Sequence, residues 1–135
     1  MPYTELEHTA DVLIRVWGKT IEELFVEAGL AMVRIMFGGG SDQGIIHSFY
    51  LEADDRESLL CDFLSEILYI SDAEGIVFSD ISVDITENRL FTVLKGELFD
   101  PDRHRGGTEI KGISFSGLHI IKEEERYQVD ILFDV

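Results

Sequence analysis

Two stretches of the chain repeat apolar residues with a helical period, each between its own start and stop signals. After Gly75 that period gives way to alternation. In the first stretch, Thr20-Ile21-Glu22-Glu23 has the form of a capping box, with two Glu at the positive end of the helix dipole. Ile21, Leu24, Phe25, Ala28, Met32 and Ile35 form one apolar stripe, and Gly38-Gly39-Gly40 stops the helix. A second stripe, Val26, Leu30, Val33 and Phe37, predicts a helix covered on two sides. Asp54-Asp55-Arg56-Glu57 opens the other helix, Leu60, Phe63, Leu64, Ile67 and Leu68 form its buried face, and Gly75 closes it. Strands are predicted at Val12–Trp17, Gly44–Ala53, Ile81–Thr86, Leu90–Phe99, Ile110–Ser116 and Leu118–Lys122. A last strand alternates through Tyr127, Val129, Ile131 and Phe133. The expected fold class is α+β, with two helices packed on a largely antiparallel β-sheet.

A chain of 135 residues fits a single domain, 1–135, and can bury a core without disulfide staples. Eleven Lys and Arg face 27 Asp and Glu, a net charge of −16. Such a body repels polyanions, which disfavours broad contact with nucleic acid or an anionic membrane surface. A basic protein face or a divalent cation is the natural partner. The single Cys61 permits no internal disulfide and points to a reducing compartment. The N-terminal residues do not read as a signal peptide, and the longest uncharged run, Gly112–Ile121, is ten residues. A membrane span needs about 20. The expected location is the cytoplasm.

No nucleophile elbow, phosphate-binding P-loop, Cys-x-x-Cys or His-Glu-x-x-His pattern occurs. The three consecutive glycines lack the preceding strand and following Lys of a phosphate cradle and read as a helix stop. Cys61 borders an apolar stripe and reads as a packing residue. His8-Thr9-Ala10-Asp11 precedes the first predicted strand, where the His and Asp can share a metal or Asp11 can cap its own turn. The chain's end bears on that choice. If the last strand pairs antiparallel with Val12–Trp17, Asp134 and the Val135 carboxylate approach Asp11. That makes an oxygen-rich site for Ca²⁺ or Mg²⁺; a parallel pairing would separate them by a strand length. The loop from Asp100 to Gly107 carries Arg103, His104 and Arg105 and runs into Lys111. His104 there is a ligand, a proton shuttle or an exposed bystander. Lys111 either snorkels from a strand edge or holds phosphate.

Taken in order, these pieces resemble the archease family over essentially the whole chain. The resemblance is carried by His8-Thr9-Ala10-Asp11, by Trp17-Gly18-Lys19-Thr20 with Glu23-Leu24-Phe25, and by Phe63-Leu64-Ser65-Glu66-Ile67-Leu68-Tyr69. It continues through Gly96-Glu97, His104, Glu109-Ile110-Lys111-Gly112 and Phe133-Asp134-Val135. The resemblance implies a protein cofactor rather than an enzyme. Its partner would be an RtcB-type RNA ligase of tRNA splicing and RNA repair. The protein would promote guanylylation of that ligase, permit multiple turnovers and broaden its use of nucleoside triphosphates. It implies a metal site at Asp11, Asp134 and Val135; oxygen donors of this kind accept Ca²⁺, Mg²⁺ or Mn²⁺ alike, and Ca²⁺ is the first expectation. It also implies a functional role for Lys111, with His8 and His104 as further candidates. Two other readings compete: a chaperone or adaptor for RNA-modifying enzymes such as a tRNA methyltransferase, and a free-standing metal-dependent phosphoester hydrolase.

Overall fold

The computed structural model describes residues 2–6, 11–104 and 107–135. Its elements are β1 (Tyr3–Leu6), β2 (Val12–Gly18), α1 (Ile21–Phe37), β3 (Ile45–Glu52), α2 (Arg56–Glu74) and β4 (Ile76–Thr86). They continue as β5 (Arg89–Leu98), β6 (Gly112–Ser114), β7 (Ile121–Lys122) and β8 (Tyr127–Asp134).

Both helices begin and end where side-chain chemistry dictates. The Thr20 hydroxyl accepts the Glu23 N–H at 3.1 Å, and Gly38 takes a left-handed conformation and donates to the Arg34 carbonyl. The Asp55 carboxylate accepts the Ser58 N–H at 2.7 Å, and that bond holds the carboxyl below its usual pKa. Gly75, at φ 65°, closes α2 by donating to the Ser71 carbonyl. Gly18 lets α1 fold back at once over β2, because a Cβ there would stand 2.6 Å from the Leu24 amide nitrogen.

The strands divide into two antiparallel sheets. β1, β2, β8 and β6 form one in that order, with β7 also on β8; β3, β5 and β4 form the other. The helix α1 packs on β2 of the first sheet and β4 of the second. Leu24, Phe25, Ala28, Met32 and Val33 are accordingly all buried. The second apolar stripe of α1 is therefore core: Val33 is fully buried, and Val26, Leu30 and Phe37 lie partly buried against it. The helix α2 adds Leu59, Leu60, Phe63, Leu64 and Ile67. No described helix is long and apolar enough to cross a membrane.

Three of the expected strands differ from the structure by more than one residue at an end. β4 starts at Ile76, not Ile81, because Ile76, Val77 and Phe78 are all buried and so show no alternation. The expected strand Ile110–Ser116 contracts to Gly112–Ser114: Ile110 is a buried plug, and the Phe115 carbonyl turns to accept the Leu118 N–H around Gly117 at φ 77°. The expected strand Leu118–Lys122 contracts to Ile121–Lys122. β1, too short to carry a pattern of its own, pairs with β2 from Tyr3 opposite Val16 to Leu6 opposite Leu13.

Candidate metal centre at the end of strand β8

The final strand lies between the two elements that bring functional candidates to its end. On one side β2 runs antiparallel, with Val12 opposite Phe133. Asp11, the next residue outward, therefore arrives beside Asp134, as the antiparallel alternative requires. On the other side β6 begins with Gly112 opposite Asp134. Lys111 immediately precedes it, and its N–H donates to the Asp134 carbonyl at 2.7 Å. A Cβ at Gly112 would sit 3.6 Å from Asp134 Oδ2, so the carboxylate lies over the open side of that glycine. Asp134, Val135 and Lys111 are exposed and Asp11 is half-buried.

This donor set suits a hard cation. Two carboxylates and the Val135 main-chain oxygens offer oxygen alone, the chemistry of Ca²⁺, Mg²⁺ and Mn²⁺, with water completing the shell. Among the described residues no three His, Cys, Asp or Glu side chains gather into a metal cluster, so the centre would depend on the main-chain oxygens of Val135. His8 lies outside the described residues.

His104 belongs to a different place. Its side chain is 3 % exposed, which removes the exposed-bystander reading. Its ring stacks on Phe99 at 5.8 Å and meets the edge of Phe37 at 6.5 Å. Nδ1 accepts the Asp100 N–H at 2.8 Å, so the ring hydrogen resides on Nε2, which faces Glu97 Oε2 at 3.5 Å. Glu97 is itself buried. It accepts from the Ser41 hydroxyl at 2.7 Å and from the Ser41 N–H, and it pairs with the Arg103 guanidinium. The Ser41 hydroxyl, above all, together with the Ser41 amide, His104 and Arg103, holds the Glu97 carboxyl below the usual range against the opposing effect of burial. Gly96 makes this possible: a Cβ there would stand 2.2 Å from the Val77 carbonyl oxygen, beside the register shift between Phe78 and Asp80.

The sequence pointed to His104 and Arg103 as a basic loop and did not find their common partner Glu97, nor Ser41. The signal was Gly96 directly before a Glu in a strand, where a buried carboxylate needs donors from elsewhere. The triple glycine is the helix stop expected: Gly38 and Gly39 take positive φ, and Gly40 packs tightly on Val77. Cys61 is partly buried in the core, and burial pushes its thiol pKa up, opposed by a hydrogen bond to Ser65. That is the opposite of a reactive thiolate.

Fold and site together describe a small acidic α+β domain with a charged chain-end tip. Residues 3–135 match the family model described as "Archease protein family (MTH1598/TM1083)". The chain belongs to the archease family. It is 33% identical over 139 residues to Protein archease of Methanosarcina acetivorans, covering 98% of this chain and 95% of that one. The solution structure of Methanobacterium thermoautotrophicum protein 1598 superposes with a TM-score of 0.80 at 25% identity, covering 99% of both chains. A crystal structure from Thermotoga maritima, of a protein described as an archease and possible chaperone, has the same fold. Its TM-score is 0.69 at 19% identity, over 96% of this chain and 94% of that one.

Proposed function

We propose that this protein is a cytoplasmic activator of an RtcB-type RNA ligase and has no catalytic turnover of its own. The observation that carries the reading is the pairing of β8 with β2 and β6, which brings Asp11 and Lys111 to Asp134 at one sheet end. Asp11, Asp134 and the Val135 main-chain oxygens would hold a divalent cation, most naturally Ca²⁺, with Mg²⁺ or Mn²⁺ as substitutes. Such a cation, when bound, neutralises charge on a phosphoryl group in transfer. Lys111, exposed beside the carboxylates, offers a point charge to a phosphate oxygen or to the carboxylates themselves. The acidic body is complementary to an electropositive, RNA-binding protein face, which speeds encounter and fixes orientation. Docking there is transient, because the RNA needs the same face later.

The test is single-turnover transfer of labelled GMP to the ligase, with wild type beside Asp134→Ala. Acceleration by wild type and loss of it in a folded Asp134→Ala protein is the expected result. Equal acceleration by both would overturn the role of the chain-end carboxylates. No acceleration by either would favour an adaptor for RNA-modifying enzymes such as a tRNA methyltransferase, a reading supported by the description of the Thermotoga maritima protein as a possible chaperone. Chelator-sensitive hydrolysis of a phosphodiester by the purified protein would instead favour a hydrolase.

A further inference from the structure

The rings around His104 also form one wall of a cavity of about 270 Å³. Phe37, Phe99 and His104 stand on that wall. The Phe99 ring lies 5.7 Å from Phe37 and 5.8 Å from His104, yet 45% of the residue stays exposed, so aromatic surface is left open. Asp72 and Glu109, both exposed, belong to the rest of the lining. Among the described residues no Lys or Arg lines the cavity, and neither carboxylate has an ion pair or a hydrogen bond.

The electrostatics favour a cation there. Phe37 ends α1 and Asp72 stands in the last turn of α2, so two helix C-termini, each with partial negative charge, meet at the cavity. The last turn of α2 contains no basic residue to offset its end. Arg34, in the last turn of α1, acts on Glu27 and does not line the cavity. Partial burial, and then the Glu109 carboxylate, push the Asp72 pKa up, a repulsion that a cation would relieve. A metal ion finds little here, because no three His, Cys, Asp or Glu of the described residues gather into a cluster and phenyl rings are not ligands. A guanidinium group uses every part: its flat face stacks on an aromatic ring and its N–H groups donate to carboxylates. Pockets for drug-sized ligands begin at about 300 Å³, so this one suits a single side chain. It also adjoins the chain-end site along the chain. Ile110 lines the cavity, and the next residue, Lys111, is bonded to Asp134.

We propose that this cavity receives an arginine side chain from the basic protein face on which the tip docks, with the guanidinium against Phe99 and paired to Asp72 and Glu109. Which protein carries that arginine rests on the activator reading; the preference of the cavity for a guanidinium does not.

The test has two arms, and the first needs no ligase. N-acetyl-arginine amide and its neutral isostere, N-acetyl-citrulline amide, are titrated into isotopically labelled protein at physiological salt, read by amide NMR. Saturable shifts at the Phe99, Thr108 and Glu109 amides are expected with the arginine compound and none with the citrulline compound. The double variant Asp72→Asn with Glu109→Gln should weaken that binding by about tenfold. Glu124→Gln with Glu125→Gln removes the same charge from the exposed turn before β8 and should bind as wild type does. Equal responses to the two compounds, equal losses in the two double variants, or shifts centred on Gly112 and Asp134 overturn the proposal. In the second arm the same variants are bound to the ligase. The Asp72 and Glu109 double variant should dissociate about tenfold more readily than the control, with GMP transfer at saturating protein as fast as wild type. A complex as tight as that of the control, or a lost maximal rate, overturns docking through the cavity. A wild type that neither binds nor accelerates the ligase refutes the activator reading alone, since the first arm stands without it.

Discussion

Replacing Gly96 with Ala tests the geometry on which the buried Glu97 depends. The added Cβ would lie 2.2 Å from the Val77 carbonyl oxygen and 2.9 Å from Phe78 Cα. Both obstacles are backbone, so no side chain can swing away; β4 and β5 must separate by about an ångström to restore a normal contact. That separation falls in the core, against Val77, Phe78 and Leu94, none of them measurably exposed. Overpacking of this kind costs about 1–3 kcal/mol, and a weakened ladder hydrogen bond adds about 1 kcal/mol. The expected loss is about 2–4 kcal/mol. For a 135-residue chain this lowers the thermal midpoint by about 7–14 °C. Gly112→Ala is the control, because its Cβ would make only an ordinary 3.6 Å contact with Asp134 Oδ2. That variant should stay within about 0.5 kcal/mol of wild type. Urea unfolding followed by circular dichroism separates the two. A Gly96→Ala protein with the midpoint and slope of wild type would refute the close approach of the strands.

Two other outcomes follow from the core and from an unfavourable carboxylate. Phe63, fully buried with its ring 5.6 Å from Phe25 and 6.2 Å from Phe49, should cost about 3–5 kcal/mol on replacement by Ala, read by urea unfolding; a loss below about 1 kcal/mol would contradict its packing. Burial, and then the neighbouring Glu109 carboxylate, push the Asp72 pKa up, so its charge is less comfortable folded than unfolded. Asp72→Asn should therefore raise the thermal midpoint at pH 7. The advantage should shrink as pH falls through the folded-state pKa and the wild-type carboxyl takes up its own proton. A lower midpoint for the variant at pH 7 would contradict the sign.

The helices were legible because their signals are local. Thr20, Gly38, Asp55 and Gly75 act within a turn of themselves, and each does in the structure what its chemistry predicts. The end-to-end approach of Asp11 and Asp134 was legible as a conditional statement, needing only the direction of one strand pairing. Less could be read where partners are distant or patterns short. The division into two sheets leaves no mark on alternation, because a strand alternates in the same way whichever neighbour it finds. The set around Glu97 joins Ser41 to a residue 56 positions away, and nothing near Ser41 announces a carboxylate. Even His104, only seven positions from Glu97, could not be recognised as buried, since its loop is otherwise polar.

The placement of β8 sets an order of events in time. Its ladder to β2 joins residues as far apart as Val12 and Phe133, a separation of 121 positions. Closing so long a loop costs entropy that no local contact repays in advance, so such a pairing belongs late in folding. The helices and the β3-β5-β4 sheet can form from near neighbours, whereas the chain-end centre exists only once the distant strands have met. A chain still folding presents its acidic body without its tip. The meeting of Asp11 and Lys111 with Asp134 therefore reports that the whole domain has closed.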